Sequence, residues 1–221
     1  MPVDREQIEQ LGELMRRYCI QHGDFTLASG RSSKYYYNGK RVTLRPSAAK
    51  LIGEALVDVA LASGAEAVGG PALGAVPIAT AVGMASLTRE RELPVFVVRM
   101  EQKAYGAKDL IAQPYASTEL GEVAEDADEL IAAGRPVALV EDAITTGGSA
   151  QKAIDAVEAL GCKVVLVAVL LERHEGGGDA LRSRGYDVLS IFRTDEEGRL
   201  SINEEFLRRL QAAQVAAPSG S

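Results

Sequence analysis

At 221 residues the chain has room for one sizeable α/β domain with its own core and little for a second. Hydrophobic residues at 47% and charged residues at 25% exclude the disordered and fibrous classes, and a net charge of -7 argues against nonspecific nucleic-acid binding, which needs a basic face. No stretch approaches the ~20 continuous apolar residues that span a bilayer, and the opening residues are too polar for a signal peptide, so a cytoplasmic protein is expected.

Ile8, Leu11, Leu14, Met15 and Tyr18 recur at helical spacing, and so do Ala48, Leu51, Ile52, Ala55, Leu56 and Val59 after Pro46, whose fixed φ suits a first helical turn. Ala67 to Gly69 is a short, weak strand signal. Helical patterns follow at Val76 to Arg91, Glu119 to Ala133 and Ser149 to Leu160, with Gly161 as a stop after the last. Between them Val95 to Val98, Val137 to Val140 and Val164 to Leu171 lack polar alternation, as expected of strands buried on both faces. Val188 to Phe192 adds a strand and Asn203 to Leu210 a closing helix. The alternation predicts an α/β fold with a mainly parallel central sheet flanked by helices. One domain is expected over 1–211, followed by a disordered tail of small residues from Ala212 to Ser221.

Cys19 and Cys162 lie far apart, and neither they nor His22 and His174 show metal-ligand spacing, so both cysteines read as buried hydrophobes and no protein-held transition metal is expected. Six acids, Glu119, Glu122, Glu125, Asp126, Asp128 and Glu129, fall in one run without a Lys or Arg between them, which reads as a solvated helix face.

Ligands of open parallel sheets bind outside the carboxyl ends of the strands. The strand VALV is followed there by Glu141 and Asp142, then by Ala143, Ile144, Thr145, Thr146, Gly147, Gly148 and Ser149 at the start of the next helix. Two adjacent carboxylates are costly to hold ionised without a cation or hydroxyl groups nearby. Three hydroxyls and unobstructed glycine amides at a helix N-terminus make an anion site. Acids beside a phosphate cradle suit a sugar phosphate, with carboxylates for ribose hydroxyls and amides for the 5-phosphate. The competing signatures GxxxxGK[ST] and GxGxxG are absent.

The thirteen residues VALVEDAITTGGS resemble the phosphoribosyl pyrophosphate (PRPP) signature of the type I phosphoribosyltransferases. Phe25 to Gly39, FTLASGRSSKYYYNG, is similar to the N-terminal signature of the orotate-using branch, and the resemblance implies a small N-terminal hood in which Tyr36 and Tyr37 flank the pyrimidine. Tyrosines beside Arg31 or Lys34 would also supply the stacking wall and donors that a flat anionic base requires. Gly69 to Ala79 resembles the pyrophosphate loop, with a strained peptide near Ala72 and Leu73, and implies that Leu73 and Gly74 contact PRPP. Arg99 to Leu110 resembles a mobile catalytic loop that reaches into the partner's site of a homodimer, which implies roles for Arg99, Lys103, Tyr105 and Lys108 at the departing diphosphate. Arg173 resembles the arginine that grips the orotate carboxylate, a task for its planar fork. The chain departs from the family at Met100 and at Ala28, both positions where lysine is common, and in an acidic insertion over about 113–134.

The resemblance covers about residues 5 to 195 and implies transfer of phosphoribosyl from PRPP to orotate, with Mg²⁺ carried mainly by the diphosphate and Asp142 able to touch it. Lys103, Asp142 and Arg99 are the expected catalytic residues; Tyr36, Tyr37, Thr145 and Arg173 are expected to bind orotate. Two alternatives stay open: another base, or a noncatalytic PRPP-sensing regulator.

Overall fold

The computed structural model describes residues 2–26, 32–101, 110–112 and 131–216. Among them no helix is long and apolar enough to cross a membrane.

Helix α1 (Arg5–Tyr18) starts at a reciprocal cap in which Asp4 accepts from the Gln7 amide and the Gln7 side chain accepts from the Asp4 amide. Ile8, Leu11 and Met15 are fully buried along one face, as the spacing predicts. Next comes the hood: strands β1 (Ile20–Thr26) and β2 (Ser32–Tyr37) form an antiparallel sheet of their own. A short helix α2 (Lys40–Thr43) leads into α3 (Pro46–Ala62), which has Pro46 in its first turn.

The remaining elements build one sheet. They are β3 (Ala67–Pro71), α4 (Ala75–Ser86) continued by a 3-10 turn to Arg89, β4 (Val95–Val98), β5 (Ile111–Ala112), β6 (Pro136–Ile144), α5 (Gly148–Glu158), β7 (Lys163–Glu172), α6 (Gly177–Ser183), β8 (Val188–Thr194), β9 (Leu200–Ile202) and α7 (Glu204–Ala216). The order across the sheet is β5-β4-β3-β6-β7-β8-β9. The five central strands are parallel, and the short edge strands β5 and β9 run antiparallel. The fold is α/β with a mainly parallel sheet flanked by helices.

Both faces of the sheet are covered, which explains the unbroken apolar strands. Ala138, Val140, Leu166, Ala168 and Leu170 pack with α1, α3, α4 and α7, while Val137, Leu139, Val167 and Val169 pack with α5. Cys19 and Cys162 are buried and free, and burial pushes the Cys19 thiol up to about 12.

Three expectations are corrected. Helix α7 runs to Ala216, so the tail expected from Ala212 is helical over its first five residues, with Gln214 bonded to the Val3 carbonyl and to Asp58. The helix expected to Ala133 is not present over 131–133; its earlier part, most of the acidic insertion and the tail beyond 216 lie outside the described residues. The strand expected to stop at Val140 continues through the motif to Ile144.

Candidate active site

Strand β6 ends beside β7, with Glu141 opposite Val169, Ala143 opposite Leu171 and Ile144 opposite Glu172. Because the strand runs on, its alternation sends Glu141 and Asp142 to opposite faces, rather than side by side after a strand end. Glu141 follows Val137 and Leu139 toward α5, where it joins Ala143, Thr145, Thr146, Gly147 and Ser149 around a cavity of about 280 Å³. Asp142 follows Ala138 and Val140 toward the other face. There a Cβ on Gly74 would meet its Oδ1 at 2.4 Å, and one on Gly39 its Oδ2 at 2.9 Å. Glycine at 74 is what lets the start of α4 approach this carboxylate.

The cradle is shaped by backbone. Gly147 holds φ +82 at the N-cap of α5, so the first amides of that helix, which have no partner within it, open on the cavity side. Gly177 closes the loop from behind: its amide donates to the Thr145 carbonyl at 2.9 Å, and any Cβ there would lie 2.4 Å from that oxygen. Among the described residues lining the cavity, Lys152, one turn into α5, is the one cation, and Met100 faces the same space. Sequence reading missed Lys152, although its helical spacing from Gly148 places it on the cavity side.

The two carboxyls sit in unfavourable surroundings. Burial, helped by the charge of Asp142, pushes the Glu141 carboxyl from its ordinary 4.5 up to about 8, and its Oε2 has no hydrogen-bond partner among the described residues. Burial also raises Asp142, opposed by Lys40 and by the Ala143 amide. Such groups fit a ligand that brings hydroxyls or a cation. A raised folded-state pKa means that the folded chain holds a proton that the unfolded chain releases. Its stabilising contribution is complete below about 4.5 and is lost as pH rises through about 8. Glu141→Gln is therefore expected to melt increasingly above the parent as buffer pH is raised from about 5 to about 8, in thermal scans without ligand. A constant offset across that range would contradict the buried, protonated Glu141.

The hood brings its tyrosines to the site by strand alternation. Tyr35 and Tyr37 share the inward face of β2, while Tyr36 points the other way, is 42% exposed and packs its ring 5.8 Å from that of Phe25. Tyr36 and Tyr37, expected as a pair flanking the base, thus lie on opposite faces of their strand. Half-buried Tyr37 donates to the Asp142 carbonyl at 3.3 Å, and burial, with Asp142 adding to it, holds its phenol neutral by pushing it well up.

Arg173 directly follows β7, its amide bonded to the Ile144 carbonyl, so it stands at the carboxyl edge beside the motif. It is 6% exposed, and its Nε donates to the Tyr35 hydroxyl at 2.9 Å. Nη2 lies 2.9 Å from Glu175 Oε1 but off the alignment of a hydrogen bond; we read this as an ion pair that leaves a buried donor unspent. The preceding Glu172 is tied up elsewhere. Burial opposes its charge, yet two 2.7 Å bonds from Arg182, with Arg193 and Ser190, hold its carboxyl below the usual range and dock α6 on the sheet.

Arg99 leaves β4 with its amide bonded to the Leu110 carbonyl at 2.6 Å, which closes the two ends of the expected catalytic loop; Lys103, Tyr105 and Lys108 lie outside the described residues, as does Arg31. The Ala72–Leu73 peptide, in the expected pyrophosphate loop, is cis. Leu73 is about two-thirds exposed and opens on an apolar groove of about 730 Å³ between α3 and α4, lined also by Lys40, Leu44, Pro77 and Met84. Among the described residues no cluster of His, Cys, Asp and Glu forms a metal cage.

Residues 46–191 match the phosphoribosyl transferase domain family. The orotate phosphoribosyltransferase of Rhodopirellula baltica is 37% identical over 184 residues, covering 80% of this chain and 87% of that protein. A crystal structure of Mycobacterium tuberculosis orotate phosphoribosyltransferase aligns with a TM-score of 0.69 at 35% identity, covering 87% of this chain and 99% of that one. The same enzyme, solved in complex with PRPP, aligns with a TM-score of 0.65 at 31% identity, covering 93% and 99%. The chain belongs to the phosphoribosyltransferase family and, within it, to the orotate phosphoribosyltransferases.

Proposed function

We propose that this chain transfers the phosphoribosyl group of PRPP to orotate, giving orotidine 5-monophosphate and diphosphate. The observation that carries the reading is the meeting, at one sheet edge, of an acid, hydroxyl and amide cradle at the end of β6 with a buried, incompletely paired Arg173 just past the end of the neighbouring strand β7. The loop from Thr145 to Ser149 holds the 5-phosphate at the N-terminus of α5. Glu141 and Asp142 receive the ribose hydroxyls from the two faces of β6 and lie close to the positive charge that develops on the ribose. Arg173 takes the carboxylate of orotate, with Tyr37 beside the ring and the Thr145 backbone at its edge. An orotate nitrogen needs little activation, so no general base is assigned.

Mg²⁺ bound to the diphosphate supplies charge neutralisation to the leaving group. Asp142 is the carboxylate of this chain that fits a contact with it, being raised by burial and placed next to Gly74 of the pyrophosphate loop. Arg99, Lys103 and Lys108 bring positive charge to the diphosphate from the loop between β4 and β5, Tyr105 adds a neutral contact to PRPP, and closing that loop would exclude water from the ribosyl centre.

The working form is a homodimer in the cytoplasm. The apolar groove supports it: Leu44, Leu73 and Met84 are each about two-thirds exposed on one face, which gathers apolar side chains of the kind that partner surfaces cover. Lys40 and Leu73 join that face to the site, so a partner seated on the groove would lie beside it. Sedimentation of the parent at twice 23.4 kDa and of Met84→Glu at the single mass, with turnover falling ~10-fold or more, is expected. A monomeric parent with full activity would contradict it. The activity itself is tested by Mg²⁺-dependent loss of orotate and release of diphosphate with PRPP present.

A further inference from the structure

Tyr35 is the most deeply buried aromatic of the hood, at 1% exposure, and its hydroxyl sits between two partners. Arg173 Nε lies 2.9 Å away and Thr194 Oγ1 2.8 Å away. A guanidinium only donates, so the Tyr35 oxygen accepts from Arg173, while its bond to Thr194 at the end of β8 joins two hydroxyls, either of which can donate. The guanidinium carbon also stands 4.3 Å over the Tyr35 ring centre. From below, the turn between β8 and β9 closes on the ring: Gly198 has φ +79, and a Cβ there would lie 2.4 Å from the Tyr35 ring. The tyrosine is thus fixed by β8 and its turn, and the arginine is fixed by the tyrosine.

An arginine can bind a carboxylate through its two Nη atoms or sideways through Nε and one Nη. We propose that Tyr35 is a positioning residue for Arg173: by occupying Nε it removes the sideways mode and presents the Nη edge to the carboxylate of the substrate. Glu175, beside Nη2, is the internal carboxylate that the substrate displaces or shares from that edge. The device rests on the reading of Arg173 as the carboxylate anchor. It makes the hood a determinant of acceptor choice through a residue that need not touch the base.

The test is steady-state kinetics of the full-length enzyme carrying Tyr35→Phe, Thr194→Val, Arg173→Ala and the Tyr35→Phe/Arg173→Ala pair. Tyr35→Phe is expected to raise the KM for orotate about tenfold, with kcat and the KM for PRPP within about twofold of the parent, a split that a general loss of structure would not give. Thr194→Val is expected to move the orotate KM the same way by a smaller factor, and it carries the test if Tyr35→Phe does not fold. In the Arg173→Ala background Tyr35→Phe is expected to add nothing. An unchanged orotate KM in both Tyr35→Phe and Thr194→Val, or the same fold-change in the Arg173→Ala background as in the parent, overturns the proposal while leaving Arg173 as the anchor. An unchanged orotate kcat/KM in Arg173→Ala overturns the anchor reading, and the proposal with it.

Discussion

Replacing Asp142 by asparagine is expected to lower kcat about 10²- to 10³-fold, with a melting temperature equal to or above that of the parent. The two halves of this expectation have one cause. Strand β6 carries Asp142 past Val140 to a place where Gly39 and Gly74 allow close approach of backbone from two other elements. Burial there raises its carboxyl, so the fold holds the charged form at some expense of stability. Asparagine keeps the shape and removes the charge, which relieves the fold. It also removes the charge that faces the ribose and the metal-bearing diphosphate when these arrive, and a preorganised charge in a site closed to water is worth far more than one in solvent. Initial rates at saturating substrates and a thermal scan of the same preparation check both halves. Turnover near that of the parent would remove Asp142 from the chemistry.

The second large effect is at Arg173. Arg173→Ala is expected to lower kcat/KM for orotate by about 10²- to 10⁴-fold, the loss of two charge-assisted hydrogen bonds of ~1.5–3 kcal/mol each. It leaves the Glu175 side chain, 10% exposed, without its cation, so a lower melting temperature accompanies it. Arg173→Lys separates the two consequences. It keeps a positive charge beside Glu175 but loses the planar fork, so stability should return in large part while orotate kcat/KM stays low. Uracil, which lacks the carboxylate, is the control acceptor: its turnover should be the same with either residue. An orotate rate that recovers fully in Arg173→Lys would mean that charge alone is recognised there.

Much of this was legible in the sequence, and the rest was not for identifiable reasons. Runs buried on both faces declare themselves, and Val95 to Val98 is a strand with the expected bounds. Pro46 and Gly161 punctuate helices where such residues are expected to. The hood strands escape the same reading because β1 is polar and mostly exposed, with its one buried residue at Ile20, so no alternation shows. Edge strands β5 and β9, of two and three residues, are too short for any pattern. The helix beyond Ala212 is not visible in the sequence because its small residues and glutamine gain their order only when Gln214 meets Val3 and Asp58, two contacts made in the folded chain.

The site shows the same division. The residue types of the PRPP cradle follow from their order along the chain, since a strand, a turn and a helix N-terminus need only local sequence. The opposite orientation of Glu141 and Asp142 depended on where β6 stops, which its pairing with β7 decides. Tyr35 does not stand out from Tyr36 and Tyr37 in the sequence. The period of two would have put Tyr35 and Tyr37 on one face, but nothing local tells which face is inward; the contact with Thr194, 159 residues away, does. Lys40, which acts on Asp142, is likewise brought in by the start of α2 alone.

The most direct measurement is a parallel turnover assay of the purified chain with Mg²⁺ and PRPP against orotate, uracil, adenine, guanine and hypoxanthine. Diphosphate release with orotate, abolished by chelating Mg²⁺ and at least ~100-fold slower with every other acceptor, is the expected result. Release with a purine or with uracil at a rate equal to or above that with orotate, or binding of PRPP without turnover of any acceptor, would contradict the assignment of this site to orotate.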